Sequence, residues 1–521
     1  MFRSRSPIVL IQNVVSALIG YVGLLFVIRY IGPTDWGFVS FGIGFVGILS
    51  IFGDLGYSTA HSIKVSEGED IGLCNGTFLF IKLILGSLFI ALVVGTLLVW
   101  VDVLHRGFES PIEYYVAFAL IPYYFFSSFS SFSRTYFNAK LKSVRFALPP
   151  LIEALLRNSI FIILAIILHF HLSTILTEYA AIALASTYSF SYTVYFLVSF
   201  SLGRPWVIKR PTRKMLRSYT LLALPLMLVT TVSTFNGNID KVVIQFFWGA
   251  IPTGAFYTGQ TIAVIITSLS TSMSAFFLPL LVRMKNFSKG MHNENIFEFE
   301  RKISLFILPI AVPIIVLSAY VLNLFSAAYF VFYPILSFLA IRAYISVINS
   351  PYSSSLASRS LLKTIAKIDL TLVISNIILI IILVPIHVPG RLGYLFGPSG
   401  AAFAAVVTGI TSTLIYRYKV SKVESIGFNL SILRQLPAVA VQGAFLYVIS
   451  RTINVRDIFI LIPLTVASIV IYFLVSIGMR EITFGTIISI IRSFSPSRIM
   501  KTFRGEQDSS YDDISEVIRE E

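Results

Sequence analysis

Roughly fourteen apolar stretches, each long enough to cross a bilayer, alternate along this 521-residue chain with short gaps of unequal charge. An apolar run of about 20 residues has one stable fate, a membrane-spanning helix, because lipid offers the backbone no hydrogen-bond partners. Of the 40 lysines and arginines, thirty fall in alternate gaps. Basic residues are retained on the cytoplasmic side, so the alternation counts the crossings and orients the chain. With the N-terminus inside, the inner segments carry Arg3 and Arg5, Lys64, Lys140 to Arg145, Arg204 to Arg217, Arg283 to Lys302, Arg359 to Lys367, Arg417 to Arg434 and Arg480 to Arg519. The outer gaps carry Arg29, Arg106, Arg391, Arg451 and Arg456, and the spans hold Lys82, Arg134, Arg157, Lys241 and Arg342. The pattern predicts an all-α, multi-pass membrane protein with both termini cytoplasmic.

The windows lie near 8–31, 37–62, 74–100, 112–137, 146–170, 176–201, 217–247, 253–281, 303–325, 328–350, 366–387, 398–418, 432–452 and 457–479. A chain that is 56% hydrophobic and 12% charged is far from a soluble composition. Its net charge of +15 does not point to nucleic acid, because the cations sit beside spans and meet lipid headgroups. A single cysteine, Cys74, excludes an intrachain disulfide. The run from Pro7 to Gly32 has no cleavage site after it and reads as the first helix. Outer loops are short, which leaves no room for an outer catalytic domain. The expected organisation is a six-helix bundle over 1–203, a basic linker over 204–217, a second bundle over 218–420, two more spans over 421–479, and a tail over 480–521. In the tail, a short apolar stretch with basic flanks is expected to lie on the inner surface, followed by a disordered acidic end.

The two sixes look related. Gly32-Pro-Thr-Asp-Trp-Gly37 precedes the second span and Gly249-Ala-Ile-Pro-Thr-Gly254 the eighth, at outer turns 217 residues apart. Six spans separate the copies, so both face the same way, about an axis along the membrane normal.

Charge inside the spans is the best pointer to function. A charged side chain at mid-span costs about 2.5–3.5 kcal/mol, so it normally faces a wet cavity or a partner. Lys82, Arg157, Lys241 and Arg342 would together cost on the order of 10 kcal/mol facing lipid. The acids are Asp54, Glu153 and Asp240, with Asp369 near a span end. Glu153 precedes Arg157 by four residues, the favoured order for a same-face pair; it is either structural glue or part of a site. Asp240 and Lys241, being adjacent, are expected on different faces. Lys82 and Arg342 have no local acid and read as cavity residues. Asp54, in Gly53-Asp-Leu-Gly56, either caps a helix or serves a site. Arg29 and Arg134, near span ends, read first as snorkelling to headgroups.

Other features have bland readings beside sharp ones. Hydroxyls cluster at Ser127–Ser133, Thr230–Thr234 and Thr267–Ser274, either lining a hydrated path or letting helices pack closely. Tyr123-Tyr124 beside Pro122 is either an aromatic platform or core. His169-x-His171 lacks further ligands for a metal. Three glycosylation patterns, at Asn75, Asn286 and Asn429, fall on the inner side and read as fortuitous.

Arg29-Tyr-Ile-Gly-Pro-Thr-Asp-Trp-Gly37-Phe-Val-Ser, followed by Gly53-Asp-Leu-Gly56-Tyr-Ser-Thr-Ala, resembles the start of the polysaccharide-biosynthesis proteins. These include lipid-linked oligosaccharide flippases of the multidrug/oligosaccharidyl-lipid/polysaccharide exporter superfamily. Asn238-Ile-Asp240-Lys-Val-Val-Ile-Gln-Phe-Phe-Trp-Gly249, leading to Gly254-Ala-Phe-Tyr257, resembles a second family signature; Val39 stands where an aromatic is common. The resemblance implies two six-helix bundles around a central cavity, two extra C-terminal helices and alternating access. It implies as cargo a glycan on a polyprenyl phosphate or diphosphate, moved from the inner to the outer leaflet, with membrane lipids and glycan-assembly proteins as partners. The expected headgroup site is Lys82, Arg157 and Arg342, with Lys241 and Arg29. Asp54, Glu153 and Asp240 are candidates for a coupling ion, H+ or Na+, or for structural charge, and no other cofactor, catalytic residue or metal is expected. A multidrug cation exporter is the nearest rival, but its cargo calls for an acidic cavity. A membrane glycosyltransferase or polymerase needs a nucleotide-sugar domain or a large outer loop; the paired Asp512-Asp513 lie in the tail.

Overall fold

A computed structural model describes residues 6–482, apart from 104–107, 140–141, 171–177, 204–205, 284–288, 360, 389, 425–428, 430, 454 and 456. His171, Asn286 and the tail from residue 483 on therefore lie outside the described residues. Every regular element among the described residues is helical. In order these are α1 (Ser6–Phe26), α2 (Pro33–Leu49), α3 (Tyr57–Ser66), α4 (Ile71–Leu98), α5 (Pro111–Ala119), α6 (Ile121–Ala139), α7 (Ser143–His169), α8 (Ala180–Leu202) and α9 (Arg213–Asn236). There follow α10 (Ile239–Trp248), α11 (Ala250–Arg283), α12 (Lys289–Val316), α13 (Ser318–Phe325), α14 (Tyr333–Ser358), α15 (Leu362–Leu383), α16 (Gly397–Glu424), α17 (Leu436–Thr452) and α18 (Ile458–Gly478). Among the described residues, twelve stretches are long and apolar enough to cross a membrane, thirteen if the pair α12–α13, bent by 68°, is one span. The remaining window, 253–281, coincides with α11.

Local chemistry explains where helices begin. Asp70, Ser110, Thr212 and Asp457 each accept a hydrogen bond from a first-turn N–H, and Pro33 and Pro111 need no donor there. One window is not a single helix. Hydropathy joins 37 to 62, but the chain turns sharply at 54–56, where Leu55 and Gly56 take positive φ of 44° and 79°. Leu55 is a strained exception to the usual glycine there.

Inner and outer below mean the sides towards and away from the N-terminus. In the first half α7 packs on α1 and α8, and α6 on α8; in the second, α14 packs on α11, α12 and α16. The halves meet on the outer side through the repeated turns. Gly32 and Gly249 both have positive φ, 133° and 81°. A Cβ on Gly37 would lie 2.1 Å from the Ala250 carbonyl oxygen, and one on Gly254 would lie 3.1 Å from that of Pro33. Pro33 and Ala250 each follow the first glycine of their own copy, so the contact is reciprocal, as a two-fold relation demands. The Tyr329 hydroxyl donates to the same Pro33 carbonyl at 3.2 Å.

On the inner side α9 leans on the first half. The Tyr219 hydroxyl pairs with His61 Nδ1 at 2.9 Å, and His61 stacks on Phe78 at 4.2 Å. The linker lies along α4: Lys209 N donates to Gly72 O, and the Lys209 ammonium binds Asp70 and holds its carboxyl below the usual range. The other end of this strut belongs to the second half, through Asn376 to Asn236 at 2.8 Å and Trp248 to the Val384 carbonyl at 2.7 Å.

The two C-terminal helices have a specific anchor. Pro313 lacks the N–H that would bond the carbonyl of Pro309 within α12. Gln442 of α17, fully buried, donates its amide to that carbonyl at 3.0 Å. Nearer the inner side, buried Glu300 of α12 accepts from Tyr352 at 2.6 Å and Asn429 at 2.9 Å, and pairs with Arg417. Two of the glycosylation patterns are thereby accounted for: Asn429 is buried in this network, and Asn75 is buried against the Val207 carbonyl.

Candidate functional site

The centre of the molecule is aromatic and charged. In α7, Arg157 donates from Nε to Glu153 Oε1 at 2.6 Å, the geometry expected of residues four apart. Its guanidinium lies 5.0 Å from the Tyr188 ring and 5.8 Å from Phe161. Tyr123 packs edge-on against Tyr192 at 4.5 Å and Tyr188 at 5.5 Å. From Tyr188 the rings continue through Phe161 and Trp36 to Tyr257 of α11, stacked on Trp36 at 5.6 Å. The Lys241 ammonium of α10 faces the other side of this row, 5.5 Å from the Tyr257 ring. A ring-to-ring path therefore joins a cation in each half. Such surfaces hold cations by their π-faces, and here the hydroxyls bond one another, Tyr188 with Tyr257 and Tyr192 with Tyr123.

Below Tyr124 is a cavity of about 290 Å³ between the halves, at the lower end of small-ligand sites. The first half contributes Asp54, Ser58, Ser127 and Ser128, and the second contributes Thr230, Thr231 and Thr234 from α9. The buried Thr231 hydroxyl has no partner. Asp54, where the strained turn begins, lines this cavity and pairs with Lys82, which is fully buried. Lys82 also donates to Ser128 at 2.8 Å and to the Gly53 carbonyl at 3.2 Å. The turn at 54–56 thus aims a carboxylate at an ammonium that would otherwise be stranded.

The structure gives the expected residues different surroundings. Lys82 does have an acid, Asp54, 28 residues away and on another element, so its isolation in sequence is only apparent. Asp240 and Lys241 are not segregated: α10 starts just after Gly237-Asn238, and the two side chains approach to 3.6 Å. Lys241 curls back to the Gly237 carbonyl at 2.7 Å and reaches Gln260 at 3.2 Å. Arg342 lies inside the second half against Gly409, with Asp369 as the acid acting on it. Lys82, Arg157 and Arg342 therefore have three separate sets of partners. Arg29 is exposed on a π-helical turn, Val27–Ile31, lining a cavity of about 330 Å³ with Asn323 and Ser326. Arg134 covers the Phe146 ring at 4.9 Å, and His169 packs on Tyr30 at 4.6 Å.

Sequence reasoning missed Tyr188 and Tyr192, although they are four apart on one helix, and met Tyr257 only as part of a family signature. It also missed Glu109 and Glu113, again four apart. Both accept from the amide of Gln245 in α10, at 2.6 and 2.7 Å.

The family model for "Polysaccharide biosynthesis protein" matches residues 6–285, more than half of the chain. The chain belongs to this family. No curated protein matches it. Among solved structures it resembles the lipid II flippase MurJ in an inward closed conformation, at 19% identity and TM-score 0.69 over 90% of this chain and 98% of that one. It also resembles an inward-facing multidrug resistance transporter of the MATE family and MOP superfamily, at 16% and 0.63 over 79% and 96%. A MOP superfamily transporter from Pyrococcus furiosus, described as having a binding pocket of reverse polarity, matches at 18% and 0.53 over 80% and 95%. At these identities the likeness is one of fold: this family member is a multi-pass membrane protein with a transporter architecture.

Proposed function

We propose that this protein moves a polyprenyl-(di)phosphate-linked oligosaccharide from the inner to the outer leaflet of the cell membrane, by alternating access between its two halves. Its termini are then cytoplasmic, as the distribution of basic residues requires. The observation that carries the reading is Arg157, a membrane-depth guanidinium among tyrosines where the halves meet. A phosphate needs a cation in a low-dielectric site, and a sugar needs aromatic faces and hydroxyls. Lys241 faces the same row of rings from the second half, and Asp54, held by buried Lys82 behind it, lines the hydroxyl-lined cavity towards the inner side. Arg29 lines the separate cavity with Asn323 and Ser326, and Arg342 is a further cation inside the second half. Asp54 and Asp240 are the candidate carriers of a coupling ion, H+ or Na+. The fold of a multidrug exporter is shared, but a central arginine is a poor receptor for an organic cation.

The test is complementation of a deletion strain. Wild type should restore surface glycan, and Arg157→Gln should not, at equal protein level. Full glycan output from Arg157→Gln, or cation-drug resistance in place of glycan, would remove the basis of the assignment.

A further inference from the structure

On the outer side, three residues form a contact between the halves that no function above uses. Glu109 lies two residues before α5 and Glu113 in its first turn, in the first half, and Gln245 lies near the end of α10 in the second. A single nitrogen, Gln245 Nε2, lies 2.6 Å from Glu109 Oε2 and 2.7 Å from Glu113 Oε1. Glu113 is 1% exposed and Gln245 6%, whereas Glu109 opens to solvent. The Gln245 Oε1 atom is buried without a partner. Glu109 also lies against the repeat contact, since a Cβ on Gly249 would fall 3.0 Å from both of its carboxylate oxygens.

A fully buried carboxylate whose one donor is a neutral amide, with a second carboxylate on the same nitrogen, is favoured in its protonated form; that acid is Glu113. Among the described residues neither acid has an ion-pair partner. The charged groups on the packed helices are engaged elsewhere: Asp35 of α2 with the Ala181 backbone, and Asp240 and Lys241 of α10 with each other. Arg106 lies outside the described residues.

We propose that Glu113, Gln245 and Glu109 are a proton-binding latch: one proton held by buried Glu113 keeps the halves together on the outer side, and it leaves when that side opens. Closing takes one proton from the outer solution, past exposed Glu109. Opening separates Gln245 from the pair, wets Glu113 and returns the proton to the same side. The closed state binds more protons, so raising outer pH favours opening, by up to about tenfold per pH unit for one proton. This rests on alternating access and the orientation proposed above, but not on the cargo. Its readout is conformational, so failure of the latch leaves the transport result standing.

The reporter is Ser40→Cys in a Cys74→Ser background. Ser40 is buried on α2, between Gly37 and Gly44 on the stripe that faces the second half. The protein is placed in liposomes and labelled from outside with an impermeant thiol reagent between about pH 5 and 8. Each rate is divided by that of the denatured protein at the same pH, which removes the thiol's own titration. The ratio should rise with pH, approaching tenfold per unit. Glu113→Gln should flatten it at a low value, because a neutral amide cannot ionise, and Glu109→Gln, by removing the adjacent negative charge, should move the rise to lower pH. Gln245→Leu should flatten it at a high value, because the donor is gone; having three variants protects the test against one that does not fold. A flat ratio in the parent, a parental slope in Glu113→Gln and Gln245→Leu, or a slope abolished only by Arg106→Gln would overturn the proposal.

Discussion

Replacing Gly37 by alanine puts a methyl group where the second half of the molecule already stands. Its Cβ would fall 2.1 Å from the Ala250 carbonyl oxygen, 2.5 Å from the carbon and 2.8 Å from Cα. All three are backbone atoms at the first turn of α11, so no side chain can rotate away. Relief requires the two halves to separate on the outer side. Overpacking of this kind costs typically about 1–3 kcal/mol. The cost falls on the outer-closed state alone, because the contact does not exist once the halves part. An equilibrium biased by that amount shifts about 5- to 150-fold towards outer opening. Gly254→Ala makes a sharper comparison: its worst contact, at 2.4 Å, is the Tyr329 hydroxyl, a side chain that can move. Labelling of the Ser40→Cys reporter should therefore accelerate strongly in Gly37→Ala and less in Gly254→Ala. If Gly37→Ala labels at the parental rate while folding normally, the halves do not separate at this crossing, and the account of the outer gate fails.

Three further outcomes are expected. Lys82→Met should lower thermal stability by about 3 kcal/mol, the low end for a broken buried pair because Asp54 faces a cavity, and adding Asp54→Asn should recover much of it. Gln442→Leu should cost about 1–3 kcal/mol by orphaning the Pro309 carbonyl. In a Pro313→Ala background, where the helix N–H is restored, the same change should cost less, and equal costs would mean the amide does not serve that carbonyl. Arg342→Gln should abolish surface glycan at normal protein level; retained glycan would place Arg342 among structural charges of the second half.

The spans were legible because lipid admits so few alternatives: hydropathy located the helices, and glycine and proline marked their ends. The Gly32/Gly37 and Gly249/Gly254 repeat was visible as spacing, and its reciprocal contact gives that spacing a cause. Glu153–Arg157 was legible because four residues is one helical turn. The Asp54–Lys82 pair was not, since its members sit on separate elements and the break between them falls inside an apolar window. Averaging hydropathy over 37–62 hides a turn made by Asp54-Leu55-Gly56. Asp240 and Lys241 were misread for a related reason: the rule that neighbours face apart belongs to helix interiors, and these two open a new helix. The tyrosine row and the Gln245 clamp depend on how the halves meet, which no local pattern encodes.

The central claim is that a lipid-linked glycan changes leaflet through this protein. It is tested most directly by reconstituting the protein in vesicles loaded with a polyprenyl-diphosphate oligosaccharide and measuring the fraction accessible to an enzyme added outside. The account predicts that accessibility rises with wild-type protein and stays at the protein-free level with Arg157→Gln. Equal accessibility with and without the protein, or with both forms of it, would contradict it.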